Sequence, residues 1–222
     1  MRWDRFRHIP WVDTRANFVA SIPKNGSLLD LGSSDGGTLS HFAELRPDLS
    51  LASSDIAGNP SAYPRGTDFR QANFDTDSLP WTDSSFDAIT CMHVVEHLVD
   101  PKHIVRESAR LLKPGGRIYI ETPHPKTVHM KSPIGRGTEH VTVNFYDDST
   151  HVKPVPVAEM SAAASVAGLD VVDSGVSRNL VIAASFPFLF LLRPRTRARY
   201  IAQIHWVGWS AYIIASKRLS RT

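Results

Sequence analysis

The chain has one cysteine among its 222 residues, Cys91, and that residue lies inside an apolar run. A single thiol excludes a disulfide framework and a metal site built on paired cysteines, so a reducing compartment is expected. Long hydrophobic runs are also missing, because the most apolar stretch, residues 183–192, is ten residues long and contains Pro187. A membrane-spanning helix needs about 20 apolar residues. The sequence therefore predicts a globular protein of the cytoplasm.

Acidic residues are absent from the C-terminal part of the chain. Eight Arg or Lys residues and no Asp or Glu lie between Ser174 and Thr222, so this part carries +8 and residues 1–173 carry −5, within a total of +3. Four arginines follow the apolar run directly, within the basic and aromatic segment 183–206. Aromatic residues beside arginines are typical of a segment that lies on a membrane surface. Two interpretations stay open: peripheral contact with the inner membrane face through residues 186–199, or a helix with solvated arginines.

Strand-like apolar runs alternate with helical patterns along most of the chain. This alternation is typical of a mostly parallel sheet with helices on both faces. The predicted strands are residues 27–32, 49–55, 68–74, 86–95, 117–122, 169–177 and 209–217, and the predicted helices are residues 38–46, 101–112 and 157–167. The KPGG sequence at 113–116 is expected to interrupt the regular secondary structure between the helix and the next strand. We therefore predict an α/β fold, a Rossmann-like seven-stranded sheet that forms a single domain over residues 1–222.

Residues 123–156 show no sustained periodicity and are too long for an ordinary connection. Polar groups that can take part in catalysis are concentrated there: His124, His129, His140, His151, Glu139, Asp147 and Asp148. The segment follows the fifth predicted strand, and ligands of such folds collect at the carboxyl ends of the strands. We therefore expect this insertion to form a lid over a binding site.

The turn after the first strand, "LLDLGSSDGGTL", is rich in glycine but lacks one glycine that a dinucleotide site would need. Gly32, Gly36 and Gly37 allow the backbone to pass close to a ligand, and the following helix would direct its N-terminal N–H groups at that ligand. Ser34 stands where the second glycine of G-x-G-x-x-G would be. Binding of NAD is therefore disfavoured.

The same turn resembles the first motif of class I S-adenosylmethionine-dependent methyltransferases, an acidic residue followed by G-x-x-x-G. Four further matches follow in order: Asp55 in "SSDI", "ANFDTDSLPWTDSSFDAI" (72–89), "HVVEHLVDP" (93–101) and "LLKPGGRIYIETP" (111–123). The resemblance covers residues 27–123 closely and residues 157–216 in outline. It implies S-adenosylmethionine as the methyl donor and S-adenosylhomocysteine as the product.

The resemblance also implies which residues bind the cofactor. The methionine part would be surrounded by Asp30, Gly32, Ser33 and Gly36, the ribose would be bound by Asp55, and the adenine by Asn73, Phe74 and Asp75. His93, just past the fourth strand, would lie near the sulfonium. An alternative for Asp30 is that it only fixes the loop by accepting backbone N–H groups. His97 is expected to be structural, because a helix there would turn it toward neighbouring loops.

Methyl transfer to a hydroxyl requires a group that removes the proton, and a histidine is the usual candidate near neutral pH. His151 is the first choice as this base, oriented by Asp147 or Asp148, and His140 is the second. The remaining predicted acceptor contacts are Glu121 and His124. A polar lid with exposed histidines is the alternative. A divalent metal is not favoured, because the spacing shows no fixed ligand pattern.

The nature of the acceptor is a weaker inference. A nucleic acid is not expected, because the N-P-P-[YF] motif that grips an extruded adenine is absent and positive charge is concentrated in the C-terminal part. The "ETPHP" sequence and the residues after it look like those of methyltransferases in bacterial polysaccharide and lipid-linked glycan pathways. That resemblance implies O-methylation of a sugar hydroxyl. The alternatives are a small-molecule O- or N-methyltransferase that modifies a natural product or quinone, and a non-catalytic scaffold. A homodimer is a further expectation.

Overall fold

A computed structural model describes residues 9–132, 142–192 and 196–219 of the protein. The strands are β1 (Ser27–Leu31), β2 (Ser50–Asp55), β3 (Asp68–Gln71), β4 (Phe86–Met92), β5 (Leu112–Pro123), β6 (Leu169–Ser177) and β7 (Ser210–Lys217). The helices are α1 (Thr14–Ala20), α2 (Gly37–Leu45), α3 (Pro101–Leu111), α4 (Val157–Val166), α5 (Leu180–Leu192) and α6 (Arg197–Val207). Short 3₁₀ turns lie between several of these elements.

The strands form one sheet in the order β3-β2-β1-β4-β5-β7-β6. The first five strands are parallel, and β7 is antiparallel to both β5 and β6. The Rossmann-like fold with seven strands, predicted from the sequence, is confirmed. The strand order reverses between β1 and β4, and the carboxyl ends of strands at such a point form the crevice where ligands bind in this class of fold.

The sheet is buried because its central strands are apolar on both faces. In β1 and β4 most side chains are buried, including that of Cys91. The helix α3 begins as predicted: the Asp100 side chain accepts a hydrogen bond from the Lys102 N–H, and Pro101 occupies the first helical position, where its missing N–H costs nothing. These contacts fix the core on which the turns at the carboxyl ends of the strands rest.

Three predicted boundaries were wrong. The KPGG residues do not precede β5 but form a bulge within it, since pairing with β4 jumps from Leu112 to Arg117. The strand β4 ends at Met92 rather than residue 95, because His93 has a φ of +56°, which extended backbone does not allow. The strand β3 ends at Gln71, so residues 72–74 belong to the following turn.

Three of the observed helices, α1, α5 and α6, are missing from the predicted helices. The helix α1 begins at Asp13, whose carboxylate accepts hydrogen bonds from the N–H groups of Arg15 and Ala16. Asp13 also forms an isolated β-bridge with Asn179, so α1 is held next to the start of α5. The helix α5 continues through Pro187. None of the helices that the described residues form is long and apolar enough to cross a membrane.

Candidate active site

The turn after β1 requires glycine at two positions. Gly32 has a φ of +80°, and a Cβ added there would lie 2.2 Å from Val94 Cγ2. Gly36 has a φ of +76°, and its Cβ would lie 2.5 Å from Tyr63 Cδ1. The buried Ser33 hydroxyl donates to the Tyr63 hydroxyl over 3.0 Å. The turn is thus packed tightly between Val94 and Tyr63. It leads directly into the N-terminus of α2.

Two carboxylates lie at this turn, and Asp55 bonds to its backbone. Asp55 ends β2 and accepts hydrogen bonds from the N–H groups of Ser34 (2.8 Å) and Ala57 (3.2 Å). Asp30 is buried beneath the turn and accepts a hydrogen bond from Thr90 Oγ1 over 2.7 Å. Burial raises the pKa of Asp30 to about 7, although the Thr90 hydrogen bond opposes that shift. A proton is therefore bound to Asp30 in part of the molecules near neutral pH.

The three residues predicted to bind adenine lie in the turn after β3. Asp75 Oδ1 accepts hydrogen bonds from the N–H groups of Val99 (2.9 Å) and Asp100 (3.0 Å), so its carboxylate organises the approach to α3. Asn73 Oδ1 accepts a hydrogen bond from the Asp75 N–H over 3.0 Å. Phe74 is buried in the hydrophobic core. A contact of Phe74 with adenine would therefore come from its backbone and not from its ring.

These groups are suited to an adenosyl sulfonium compound. The backbone of the glycine turn and the first N–H groups of α2 can approach the methionine part closely. The half-buried carboxylate of Asp55 at the end of β2 can accept hydrogen bonds from the two ribose hydroxyls, and that of Asp30 can attract a positive charge above the turn. Asp30, Gly32 and Asp55 would hold S-adenosylmethionine in this way.

A buried charged network occupies the adjacent ends of β4 and β5. Glu121 has no exposed side-chain surface, and its oxygens accept hydrogen bonds from Arg15 Nε (2.9 Å) and Tyr119 Oη (2.6 Å), and from a second Arg15 nitrogen. His93 lies between two glutamates, with Nε2 3.1 Å from Glu121 Oε1 and Nδ1 3.1 Å from Glu96 Oε1. Since carboxylates only accept, both ring nitrogens of His93 donate, as an imidazolium does.

The charges of this network depend on one another. Burial alone would lower the pKa of His93, but the hydrogen bonds to Glu121 and Glu96 outweigh burial and raise the pKa to about 9. Burial would raise the pKa of Glu121, but the charge and hydrogen bonds of Arg15 and the bond to His93 hold that pKa well below its usual range. Two cations and two carboxylates are therefore paired where the sequence-based prediction located the sulfonium.

The lid residue His151 contacts the turn that follows β4. Its Nδ1 is 2.6 Å from the backbone oxygen of Phe145, and its ring packs against the rings of Phe145 (4.4 Å) and His97 (4.7 Å). Because a carbonyl only accepts, Nδ1 carries the proton and Nε2 has the lone pair in the neutral ring. Asp148 Oδ2 is 3.9 Å from that Nε2. Asp148 also accepts hydrogen bonds from the Thr150 N–H and hydroxyl.

Glu96 joins His151 to the buried network. Its carboxylate contacts His93 and accepts a hydrogen bond from Thr122 Oγ1 over 3.0 Å, and its backbone oxygen accepts from the Val152 N–H over 2.8 Å. Ligand atoms of Glu96, His97 and His151 all lie within 4.8 Å of one another. These three side chains could hold a divalent cation, a possibility that the sequence pattern did not favour.

The other predicted acceptor residues have partners within the protein. Asp147 closes the cap of the 3₁₀ turn Phe145–Asp147 by accepting from the Asn144 N–H. His124 Nδ1 accepts from the Lys126 N–H over 3.2 Å at the start of another turn. Both oxygens of Glu121 accept hydrogen bonds within the buried network. A direct contact with an acceptor would therefore require one of these hydrogen bonds to break. His140 lies outside the described residues. His97 faces the lid and contacts Thr150 Oγ1 over 2.9 Å.

Sequence reasoning missed the residues that complete the network from distant parts of the chain. Arg15 comes from α1, and the Trp209 ring packs 5.3 Å from the His93 ring. Ser210 Oγ is 3.4 Å from His93 Nε2. The pattern of Asp13 before an apolar helix could have predicted α1 through its cap. No local signal indicates that Arg15 contacts Glu121, since these residues are 106 positions apart.

Comparisons with known proteins identify the family to which the chain belongs. Residues 3–174 match the family model described as a methyltransferase domain. The ubiquinone biosynthesis O-methyltransferase of Pseudomonas aeruginosa strain LESB58 is 29% identical over 179 residues, which are 74% of this chain and 71% of that protein.

Solved structures share the fold. An S-adenosylmethionine-dependent methyltransferase from Mesorhizobium loti superposes with a TM-score of 0.64 at 16% identity, covering 91% of this chain and 97% of that one. Geranyl diphosphate C-methyltransferase from Streptomyces coelicolor A3(2) gives 0.59 at 13% identity, covering 92% and 80%. The family match spans most of the chain, so the protein belongs to the methyltransferase domain family and is an S-adenosylmethionine-dependent methyltransferase.

Proposed function

We propose that the protein methylates a hydroxyl oxygen of a small organic molecule, such as a natural product or a quinone precursor. S-adenosylmethionine supplies an electrophilic methyl group on an excellent leaving group when it is bound. The protein must align the hydroxyl with that methyl group and remove the hydroxyl proton. Both tasks belong to residues at the carboxyl ends of β4 and β5 and in the lid.

The orientation of His151 is the observation that carries this proposal. The Phe145 carbonyl fixes the proton on Nδ1, so Nε2 carries the lone pair that can take the proton of a hydroxyl. Asp148, at 3.9 Å, can stabilise the imidazolium that forms when Nε2 accepts the proton. The side chain is mostly buried, so its ring keeps one orientation. These observations support His151 as the base and Asp148 as its charge partner.

The buried network gives the alignment of the acceptor a structural basis. His93 is held between Glu96 and Glu121 next to the glycine turn, because the residue after it, Val94, packs against Gly32. The network is rigid, since each of its charges has partners in the protein. We assign it to shaping the space between cofactor and acceptor, and not to proton transfer, because both nitrogens of His93 are engaged by carboxylates.

The prediction of a glycan acceptor gains no support from the comparisons. The ubiquinone biosynthesis O-methyltransferase of Pseudomonas aeruginosa, 71% of which is covered by the match, is named for O-methylation. That name favours oxygen over nitrogen and a small molecule over a glycan. At 29% identity over 179 residues it does not define which small molecule this protein methylates.

The decisive experiment measures turnover of His151→Ala with labelled methyl donor and a panel of phenols, catechols and sugars. We expect turnover on the best acceptor to fall about 100-fold, because a general base contributes that much or more, while cofactor affinity stays unchanged. His129→Ala is the matched control, since His129 is an exposed histidine of the same segment. Equal turnover of the two variants would exclude His151 as the base.

A chelator separates the base from a metal-dependent alternative. If His151 acts as a base, treatment with EDTA leaves wild-type turnover unchanged. If Glu96, His97 and His151 instead hold a cation that acidifies the hydroxyl, EDTA abolishes turnover and added Mg²⁺ or Zn²⁺ restores it. Restoration by a metal would replace the proposed role of His151 with that of a ligand.

A further inference from the structure

The hairpin of α5 and α6 has an apolar stripe that the rest of the protein leaves exposed. Along α5 the exposed positions Leu180, Ala184, Pro187, Phe188 and Leu191 recur with the period of a helix, and Phe190 is exposed beside them. Phe188 and Leu191 are 68% and 79% exposed. The opposite side packs on the protein, where Ile182 and Ala183 are buried. A helix that is apolar on its solvent side marks an interaction surface.

Basic side chains lie next to this stripe in the sequence, and the C-terminal segment contains no acidic side chain. The helix α5 contains no charged residue, and residues 174–222 contain no Asp or Glu. At the start of α6, Arg197 is exposed, and the Arg199 guanidinium lies 4.4 Å from the centre of the Phe190 ring. On α6, Trp206 is 49% exposed and its ring packs 6.1 Å from that of Phe186. Aromatic rings and an arginine at the contact between α5 and α6 thus flank the exposed stripe of α5.

We infer that this face docks on the surface of a bilayer that contains anionic phospholipids. An interfacial helix buries an apolar face by about 5–10 Å in the boundary between headgroups and acyl chains, with Lys or Arg next to the anionic headgroups. The stripe supplies the apolar face and the arginines supply the positive charge. A second copy of this chain fits less well, because apposing two such faces would bring like charges together without an acid of the segment to offset them.

The hairpin is also tied to the candidate active site at both ends. At the start of α5, Asn179 Nδ2 donates to Asp13 Oδ2 over 3.1 Å, at the cap of the helix that carries Arg15. After α6, the Trp209 ring packs against His93. A helix of 13 residues is about 20 Å long, so the far end of α5 lies about that distance from its start, next to Asn179 and the cap of α1. Docking would therefore bring the acceptor site close to the lipid surface.

The test is co-sedimentation of the full chain with vesicles of phosphatidylcholine, with and without phosphatidylglycerol. We expect the wild-type protein to sediment with the anionic vesicles, and high salt to release it because screening weakens the contribution of the arginines. The double variant Phe188→Ser/Leu191→Gln should lose partitioning about tenfold or more, since two large apolar side chains no longer enter the lipid.

The matched control replaces two exposed apolar residues elsewhere, Val166→Ser/Val172→Ser, which are 86% and 57% exposed. This control should partition like wild type. Calorimetric binding of S-adenosylmethionine by every variant shows that the fold is intact, independently of any acceptor or of the proposed function. Equal partitioning of both double variants overturns the inference. Failure of the wild-type protein to sediment with anionic vesicles also overturns it. A wild-type dimer that is disrupted only by Phe188→Ser/Leu191→Gln overturns it as well.

Discussion

The proposed cofactor half and the proposed acceptor half of this molecule are built in different ways. At the cofactor half, the contacts around the glycine turn span moderate separations: Ser34 and Asp55 are 21 positions apart, and Asp30 and Thr90 are 60 apart. At the acceptor half, Arg15 meets Glu121 across 106 positions and Ser210 meets His93 across 117. Residues close in the chain form motifs that a sequence displays, whereas contacts between distant single residues leave no local pattern.

The largest effect should come from breaking the long-range network. Glu121→Ala removes a buried carboxylate and leaves Arg15 and His93 without their shared partner. We expect a loss of about 3–5 kcal/mol in the free energy of unfolding, measured by urea denaturation, because an uncompensated buried charge is costly. Glu159→Ala is the control, since Glu159 pairs with Lys153 near the surface and its loss should cost at most about 1 kcal/mol. Similar losses for both variants would show that the network does not stabilise this half.

A smaller effect should follow from the local motif of the cofactor half. Asp55→Ala removes the carboxylate that would bind both ribose hydroxyls. Charge-assisted hydrogen bonds of this kind predict a loss of roughly 1.5–3 kcal/mol in cofactor binding by calorimetry. Asp170→Ala is the comparison, because Asp170 pairs with Arg218 on the exposed edge of the sheet. Unchanged affinity of the Asp55 variant would remove that residue from the site.

The smallest effect should be a dependence of cofactor affinity on pH. Asp30 has a pKa of about 7 in the free protein, and a cationic ligand above it favours the ionised form. Binding therefore releases a proton below that pH, so affinity should rise about tenfold per unit as pH approaches 7 and become constant above it. Calorimetry in two buffers of different ionisation enthalpy measures the released proton. The Asp30→Asn variant should lack this dependence. A constant affinity of the wild-type protein would contradict the assignment.

The sequence predicted well what depends on neighbouring residues. Buried strands appear as apolar runs, and the glycine turn as a motif, because sterics at Gly32 and Gly36 act locally. It did not predict the continuation of α5 through Pro187, because packing against α6 outweighs the hydrogen bond that proline cannot make. In residues 123–156, the density of histidines led to the choice of His151 as the base, which stays a prediction. The partner of His151 Nδ1 is the Phe145 carbonyl, and a backbone atom carries no sequence signal.

The burial of Cys91 makes the protein convenient to label. Burial raises the pKa of that thiol far above its ordinary value, so maleimide reagents, which are attacked by the thiolate, have no reactive native target. A cysteine introduced at an exposed position, such as Leu191, would therefore take up a fluorophore alone. The colour shift of an environment-sensitive dye there would report directly how deeply that position enters a lipid phase.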